Sequence, residues 1–300
     1  MATNLRSIFD DESINFKRVT IKNNARIVDT DQGSYVIKKR KNNNLDNIYN
    51  YLLSRSFDYF PKCLKHNQEY DIYEYIPDTN EPGEQKILDL INLVSLLHNK
   101  TTYYKEIDLD NYKEIYESIN NHIEYLYNYY TDMITIIERN VYMSPSQYLI
   151  ARNISMIYKS LDYCKQSIDR WYDLIRDKRR VRYVTLHNNL NISHYLRGDK
   201  PYLISWDYSK KDMPIYDLLK IYQNHYLDYD FSDLFQHYEN HYHLKEEERI
   251  LLFTYMALPY KITITNNEYQ MCREARRLFD YIYKTEDLIT NYEKISSHHH

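Results

Sequence analysis

From Ile87 onward one period governs the chain, and it is broken only once. Ile87, Leu90, Ile91, Val94 and Leu97 recur at helical spacing, and the same pattern runs through about Asn111–Arg139 and Pro145–Asp177. It resumes over about Pro214–Tyr226, Ser232–Tyr242, Lys245–Leu258 and Glu268–Glu286. The break falls at Tyr183–Asp207: a polar stretch, a turn signal at Arg197-Gly198-Asp199-Lys200, and a short apolar strand expected over Tyr202–Trp206. This reads as a loop and a β-hairpin set into a helical body.

The front of the chain follows a different rule. FKRVTIKNNARIVDTDQGSYVIKK, Phe16 to Lys39, alternates apolar and polar residues around Asn23-Asn24 and Asp31-Gln32-Gly33, which predicts a small antiparallel meander. A helix is expected over Leu45–Phe57 with Leu45, Ile48, Leu52 and Leu53 on one face, then strands near Cys63–Lys65 and Tyr70–Ile76. Pro77, Pro82 and Gly83 then punctuate the chain, with Glu81 and Glu84 suited to a helix N-terminus. Strands followed by helices give an α+β class: a β-rich lobe at 1–78 and a larger, mainly helical lobe at 79–295 that carries the 183–207 loop and hairpin. Residues 296–300 resemble the start of a purification tag and enter no site argument.

Composition narrows the function classes. A content of 43% hydrophobic and 27% charged residues is that of a soluble globular chain, and a net charge of -4 offers nucleic acid or anionic lipid no general attraction. Neither a nucleic-acid nor a membrane partner is expected. Cys63, Cys164 and Cys272 are far apart and lack CxxC spacing, which suits reduced thiols in a cytosol. The first residues hold no apolar h-region, and the best apolar run, Ile250–Pro259, is too short to span a bilayer, so a cytoplasmic location is expected. Only 3 glycines occur, so neither GxGxxG nor GxxxxGK[ST] is present to cradle a phosphate.

Three segments, in order, carry the candidate chemistry. YVIK ends the second extended run and puts Lys38 where a phosphotransferase lysine would hold phosphates. In HNNLNISH, His187, Asn189 and His194 fall at the spacing of H-x-D-x-x-x-x-N, with Asn189 in place of the aspartate and His194 in place of the asparagine. ISWD follows the hairpin turn, with Ser205 where a D-F-G aspartate would stand. His187 and His194, with Asp207, also read as a transition-metal set, since imidazole suits zinc or nickel better than magnesium. His237, His241 and His243 lack the glutamate of HExxH and read as a solvated helix end, and Arg176–Arg182 as a solvated basic run.

On these residues the sequence resembles the aminoglycoside-phosphotransferase and choline-kinase superfamily, in particular its spore-coat, CotS-type kinase-like branch. That family carries H-G-D-x-x-x-x-N, then I-D-x-D, then D-x-P-x-x-D-L. The matching residues here are His187, Asn189 and His194, then Ile204, Ser205 and Asp207, then Asp212, Pro214, Asp217 and Leu218. The resemblance implies a bilobal protein-kinase-like fold, a bacterial and spore-associated setting, and ATP with Mg²⁺ as cofactors. It places nucleotide contacts at Lys38 and at Glu74, Tyr75 and Ile76, and the catalytic base position at Asn189. Metal positions fall at His194 and Ser205, with Asp207 able to compensate if residues i and i+2 share a strand face. His187, Asp212 and Asp217 take structural roles, with Asp212 as the N-cap of the following helix.

The departures weigh against ordinary chemistry. An amide at 189 has no usable basicity, magnesium wants oxygen donors rather than imidazole, and the front-lobe helix offers Lys38 no glutamate, only Asp46 near its start. The expectation is a pseudokinase without ATP-Mg²⁺ phosphoryl transfer, a scaffold or small-molecule binding module with an unidentified protein or small-molecule partner. The alternative is an active small-molecule kinase that uses Lys38, Asp207 and an unorthodox metal.

Overall fold

The computed structural model describes residues 16–22, 25–42, 44–67, 69–79 and 81–297. The expected turn at Asn23-Asn24 and the last three histidines lie outside these residues. The architecture is α+β, with a β-rich N-terminal region and a mainly helical C-terminal one. By packing, the chain divides into two compact units, Met1–Thr101 with His187–Lys210 and Thr102–Leu186 with Lys211–His300. This division differs from the break expected at residue 79. It groups the loop and hairpin with the front strands and the first long helix.

In the first unit β1 (Phe16–Lys22), β2 (Ala25–Thr30), β3 (Ser34–Lys39), β4 (Cys63–His66) and β5 (Tyr70–Glu74) form one antiparallel sheet of order β1-β2-β3-β5-β4. The β2–β3 turn closes where Thr30 N and Thr30 Oγ1 both donate to Gly33 O, at 2.9 and 2.8 Å, and Gly33 has φ +142°, a value that an L side chain rarely adopts. Alternation delivers Val28, Ile37 and Ile72 to one face, where they are buried with Tyr35 and Tyr70 packed against them. Ile37 lies directly opposite Ile72 across the β3–β5 pair, so β-branched shapes meet on the pleat.

Helix α1 (Leu45–Ser54) buries Leu45, Tyr49 and Leu52 at i, i+4 and i+7. This corrects the expected face: Tyr49 stacks on Phe60 with centroids 4.4 Å apart, and Leu53 is 52% exposed. The helix also stops before Phe57. Ser56 takes φ 56°, Ser56 N donates to Leu53 O and Phe57 N to Leu52 O, both at 2.9 Å, which is a Schellman termination with serine in the usual glycine place. Phe57, the hydrophobic residue of that motif, is fully buried. Helix α2 (Gly83–Thr101) buries the expected stripe of Ile87, Leu90, Ile91, Val94 and Leu97.

In the second unit β6 (Tyr103–Glu106) pairs antiparallel with β7 (Arg180–Leu186), which also neighbours β10 (Lys210–Asp212), a strand that starts at the last residue of the first unit. Long helices α3 (Leu109–Glu138) and α4 (Pro145–Arg176) are joined by a short turn. The start of α4 is fixed by a capping box of Ser144 and Gln147 with Pro145 in its first turn. Ile150, Ile157, Leu161, Cys164, Ile168, Trp171 and Ile175 form its buried stripe. Then come α5 (Ile215–His225), α6 (Phe231–His241), α7 (Glu246–Ala257) and α8 (Glu268–Ser297). Cys63, Cys164 and Cys272 are free thiols. Among the described residues no helix is long and apolar enough to cross a membrane.

Candidate functional site

All the residues that the motif order puts together, except Asp212, Pro214, Asp217 and Leu218, lie in the first unit, and most of them converge. Lys38 extends from β3 and its Nζ donates to Ser205 Oγ at 3.1 Å and to Asp207 Oδ2 at 3.2 Å. Both ends of the ion pair are mostly covered, with side-chain exposures of 22% and 14%. Lys38 is thus held by a partner 169 positions away in sequence. From the segment after β3, Asn42 Nδ2 donates to Asp207 O at 3.3 Å and supports the backbone beneath that carboxylate.

The geometry that presents Asp207 is not the expected strand. The hairpin consists of β8 (Tyr195–Arg197) and β9 (Pro201–Leu203), so the strand ends at Leu203 rather than Trp206. Ser205 then turns into the left-handed region (φ 71°, ψ 50°), and Trp206–Tyr208 form one turn of 3-10 helix. The same-face argument for Ser205 and Asp207 therefore does not hold. Both side chains still meet Lys38, with the left-handed Ser205 leading directly into the 3-10 turn that carries Asp207. A serine in that conformation is held at a cost of order 1 kcal/mol, which the surrounding contacts must offset. Two of them stand out: Trp206 is buried, with Nε1 donating to Leu203 O at 2.6 Å, and its ring meets Phe57 and Phe60 edge-on.

The HNNLNISH loop is built on its own backbone. His187 is fully buried, its Nε2–H donates to Ile204 O at 2.8 Å, and its ring stands edge-on to Trp206 at 4.9 Å. Asn188 is left-handed (φ 58°) and its Nδ2 donates to Tyr208 O at 3.0 Å. Asn189 Nδ2 donates to Ser205 O at 3.4 Å, so the residue in the base position bonds to the backbone of the residue in the D-F-G position. His194 Nδ1–H donates to Asn189 O at 2.6 Å and Ile204 N donates to His194 O at 2.9 Å. Burial pushes the His194 imidazole below its ordinary value, the hydrogen bond to Asn189 and the charge of Asp207 oppose this, and Lys38 adds to it. Each histidine has a ring nitrogen committed to a carbonyl, and their centroids are 6.1 Å apart. Among the described residues no group of three or more His, Cys, Asp or Glu side chains is arranged to hold a metal ion.

The remaining expected residues are placed as follows. Glu74 is exposed at the end of β5 opposite Tyr35, and Tyr75 N donates to Ser34 O at 3.1 Å. Ile76 packs against the hairpin turn so closely that a Cβ at Gly198 would sit 2.9 Å from its Cγ2. Asp212 and Asp217 lie in the second unit. Asp212 is not the N-cap of α5: that place belongs to Pro214, and the Asp212 carboxylate accepts from Met213 N at 2.9 Å. Asp217 is fully buried in the first turn of α5.

Asp46, on α1, pairs with a different cation from Lys38. Arg40, two positions along the chain from Lys38, has Nη2 at 2.5 Å from Asp46 Oδ2 and Nη1 at 3.0 Å from Asp71 Oδ1. Asp71 is buried on β5, and burial pushes its carboxyl above the ordinary range although Arg40 opposes the shift. This Arg40–Asp46–Asp71 group was not foreseen. Its signal in the sequence was slight: Arg40 follows Lys38 by two positions, just past the end of β3, and nothing local tells which carboxylates it meets. The basic run Arg176–Arg182, in the second unit, is likewise drawn into ion pairs, with Arg176 on Asp173, Lys178 on Glu247 and Arg182 on Glu248.

Comparison with known proteins bears on the fold. No family model matches the sequence, and no curated protein matches it. Among solved structures, an aminoglycoside phosphotransferase from Alicyclobacillus acidocaldarius is similar with a TM-score of 0.70 at 9% identity, over 98% of this chain and 96% of that one. This chain has the fold of the aminoglycoside phosphotransferases. An AMP-bound spectinomycin phosphotransferase is similar with a TM-score of 0.51 at 14% identity, over 98% and 94% of the two chains. A choline kinase from Streptococcus pneumoniae aligns with a TM-score of 0.49 at 14% identity, over 98% and 99%. At these identities the likeness is one of fold alone, and the two phosphotransferases with TM-scores of 0.70 and 0.51 carry it.

Proposed function

We propose that this kinase-fold chain is a pseudokinase, a scaffold or small-molecule binding module that does not carry out ATP-Mg²⁺ phosphoryl transfer. The observation that carries this reading is the ion pair of Lys38 with Asp207, with Ser205 as a further hydrogen-bond partner, next to an Asn189 amide that is itself bonded to backbone. In kinases a helix glutamate holds this lysine and the hairpin aspartate is left to the metal; here the hairpin carboxylate, Asp207, is itself taken up by Lys38.

The donor set fits a magnesium-bridged triphosphate poorly. Magnesium is held through carboxylates and other oxygens in near-octahedral geometry, and around Lys38 the hydrogen-bonded groups supply one carboxylate, one hydroxyl, one amide and one imidazole. Asn189 can orient a hydroxyl but cannot accept its proton at neutral pH. The spore-coat branch of the superfamily, with its weakened motifs, is the kinship that this pattern favours. The second reading, an active small-molecule kinase with non-standard metal ligation, draws on one feature, the presence of the Asp207 carboxylate 3.2 Å from Lys38.

Titration calorimetry of ATP into the full chain, alone and with Mg²⁺ or Mn²⁺, separates the two. The pseudokinase reading expects no metal-dependent heat in the native chain or in Lys38→Ala. Metal-dependent binding that Lys38→Ala abolishes, together with release of ADP, would establish the active kinase instead.

A further inference from the structure

Helix α8 presents two unlike faces. Met271, Ala275, Leu278, Ile282, Thr285 and Ile289 recur at helical spacing and are buried in the second unit. On the opposite face Arg273, Arg276, Asp280, Tyr283, Asp287 and Thr290 form a second line, every member of it exposed. The steps along this line are three, four, three, four and three residues, the period of a helix that packs lengthwise on another helix. It runs for about 25 Å.

Charge along the line is ordered, with the cations Arg273 and Arg276 first and the carboxylates Asp280 and Asp287 after them. Within the chain these groups are unspent: among the described residues none of the six side chains forms a hydrogen bond or an ion pair. Arg276 and Asp280 stand four residues apart, the spacing at which Lys165 and Asp169 on α4 meet at 3.3 Å, yet they make no such pair. Tyr283, in the middle of the line, leaves 63% of its surface to solvent.

We propose that this face of α8 is a self-complementary docking surface on which a second copy of the chain pairs antiparallel about a twofold axis. The axis passes midway between Asp280 and Tyr283. Laid on its copy there, the line sets Asp280 against Tyr283, Arg276 against Asp287 and Arg273 against Thr290, and symmetry makes each contact twice. A phenol donates to a carboxylate, a guanidinium meets a carboxylate, and a guanidinium donates to a hydroxyl. A parallel pair would instead put Arg276 on Arg276 and Asp287 on Asp287, so charge selects the antiparallel one. Arg277 and Lys284 lie to one side of the line, and their like charges approach each other across the pair and hold its affinity down. The dimer is therefore weak and sensitive to salt.

Sedimentation equilibrium of the full chain, over a concentration series that reaches the near-millimolar range, is expected to show a monomer–dimer equilibrium that weakens as NaCl is raised. Arg276→Glu and Asp287→Arg, at exposed positions where folding is not at stake, each put like charges into two layers and should each weaken association about tenfold or more. An equal mixture of the two variants brings opposite charges back into both layers and is expected to recover dimerisation as a heterodimer. A native chain that stays monomeric, a dimer indifferent to both reversals, or variants that fail to recover on mixing would overturn the proposal. A monomeric chain that binds polyglutamate, and loses that binding in Arg276→Glu, would overturn it in favour of an acidic partner.

Discussion

Two cations in this molecule are held by carboxylates far away in sequence, and the comparison between them separates structure from site. In the second unit Arg182 on β7 donates to Glu248 at the start of α7 through Nε at 3.0 Å and through Nη2, which also reaches His243 O at 2.8 Å. Its guanidinium lies 4.2 Å from the centroid of Tyr242, whose hydroxyl meets Thr102 at 2.9 Å. Beside it Lys178 meets Glu247 at 2.5 Å. Glu248 also accepts from Lys245 N at 2.9 Å, which closes the α7 start. Every group there is spent on fold. In the first unit, Lys38 and Asp207 meet in a partly open place, with a left-handed serine as the other contact of Lys38. Saturation and deep burial mark the first pair as a fastening, and strain and partial exposure mark the second as a place kept for contact.

The largest effect should come from undoing the fastening. Arg182→Met leaves Glu248 buried without its partner, so chemical denaturation should show a loss of about 3–5 kcal/mol. A loss below about 1 kcal/mol would erase the distinction drawn here. Removing the charge of the other pair by Asp207→Asn should cost no more than about 1 kcal/mol, because solvent reaches both ends and the amide can still accept from Lys38. A fall as large as that of Arg182→Met would make Lys38–Asp207 a second fastening.

The smallest effect concerns pH. The folded His194 imidazole titrates below its ordinary value of 6.5, mainly through burial. The unfolded chain therefore takes up the proton first as pH falls. The contribution of His194 to stability is complete above about pH 6.5 and is lost as pH falls below it towards the folded value. His194→Gln should flatten the slope of stability against pH in that interval relative to the native chain. An unchanged slope would show that His194 is not the group responsible.

How much of this could be read in advance depends on the range of the interaction. The α2 and α4 stripes follow from a period that neighbouring residues enforce, and their buried residues were legible one by one. The order Lys38, HNNLNISH, ISWD was legible as well, because a motif is a local record of a three-dimensional need. What failed was local geometry decided by distant packing. The expected strand through Trp206 ends early because the indole turns into Phe57 and Phe60, and α1 ends early because Phe57 turns inward after Ser56. The fate of Asp46 was equally out of reach, since which of two cations it meets depends on where β5 puts Asp71.

The discontinuity of the first unit has a consequence for how the chain is made. Phe57 and Phe60 leave the ribosome early, but Trp206, which packs on both, is synthesised only after all of residues 102–186. Until then the front sheet and α1 lack the indole and the hairpin that complete their core. Closing that core requires a long-range contact, which is slow to form and leaves apolar surface open in the meantime. For this chain vectorial synthesis cannot mean unit-by-unit folding: the first unit begun is one that must wait until the leading segment of the second has been made.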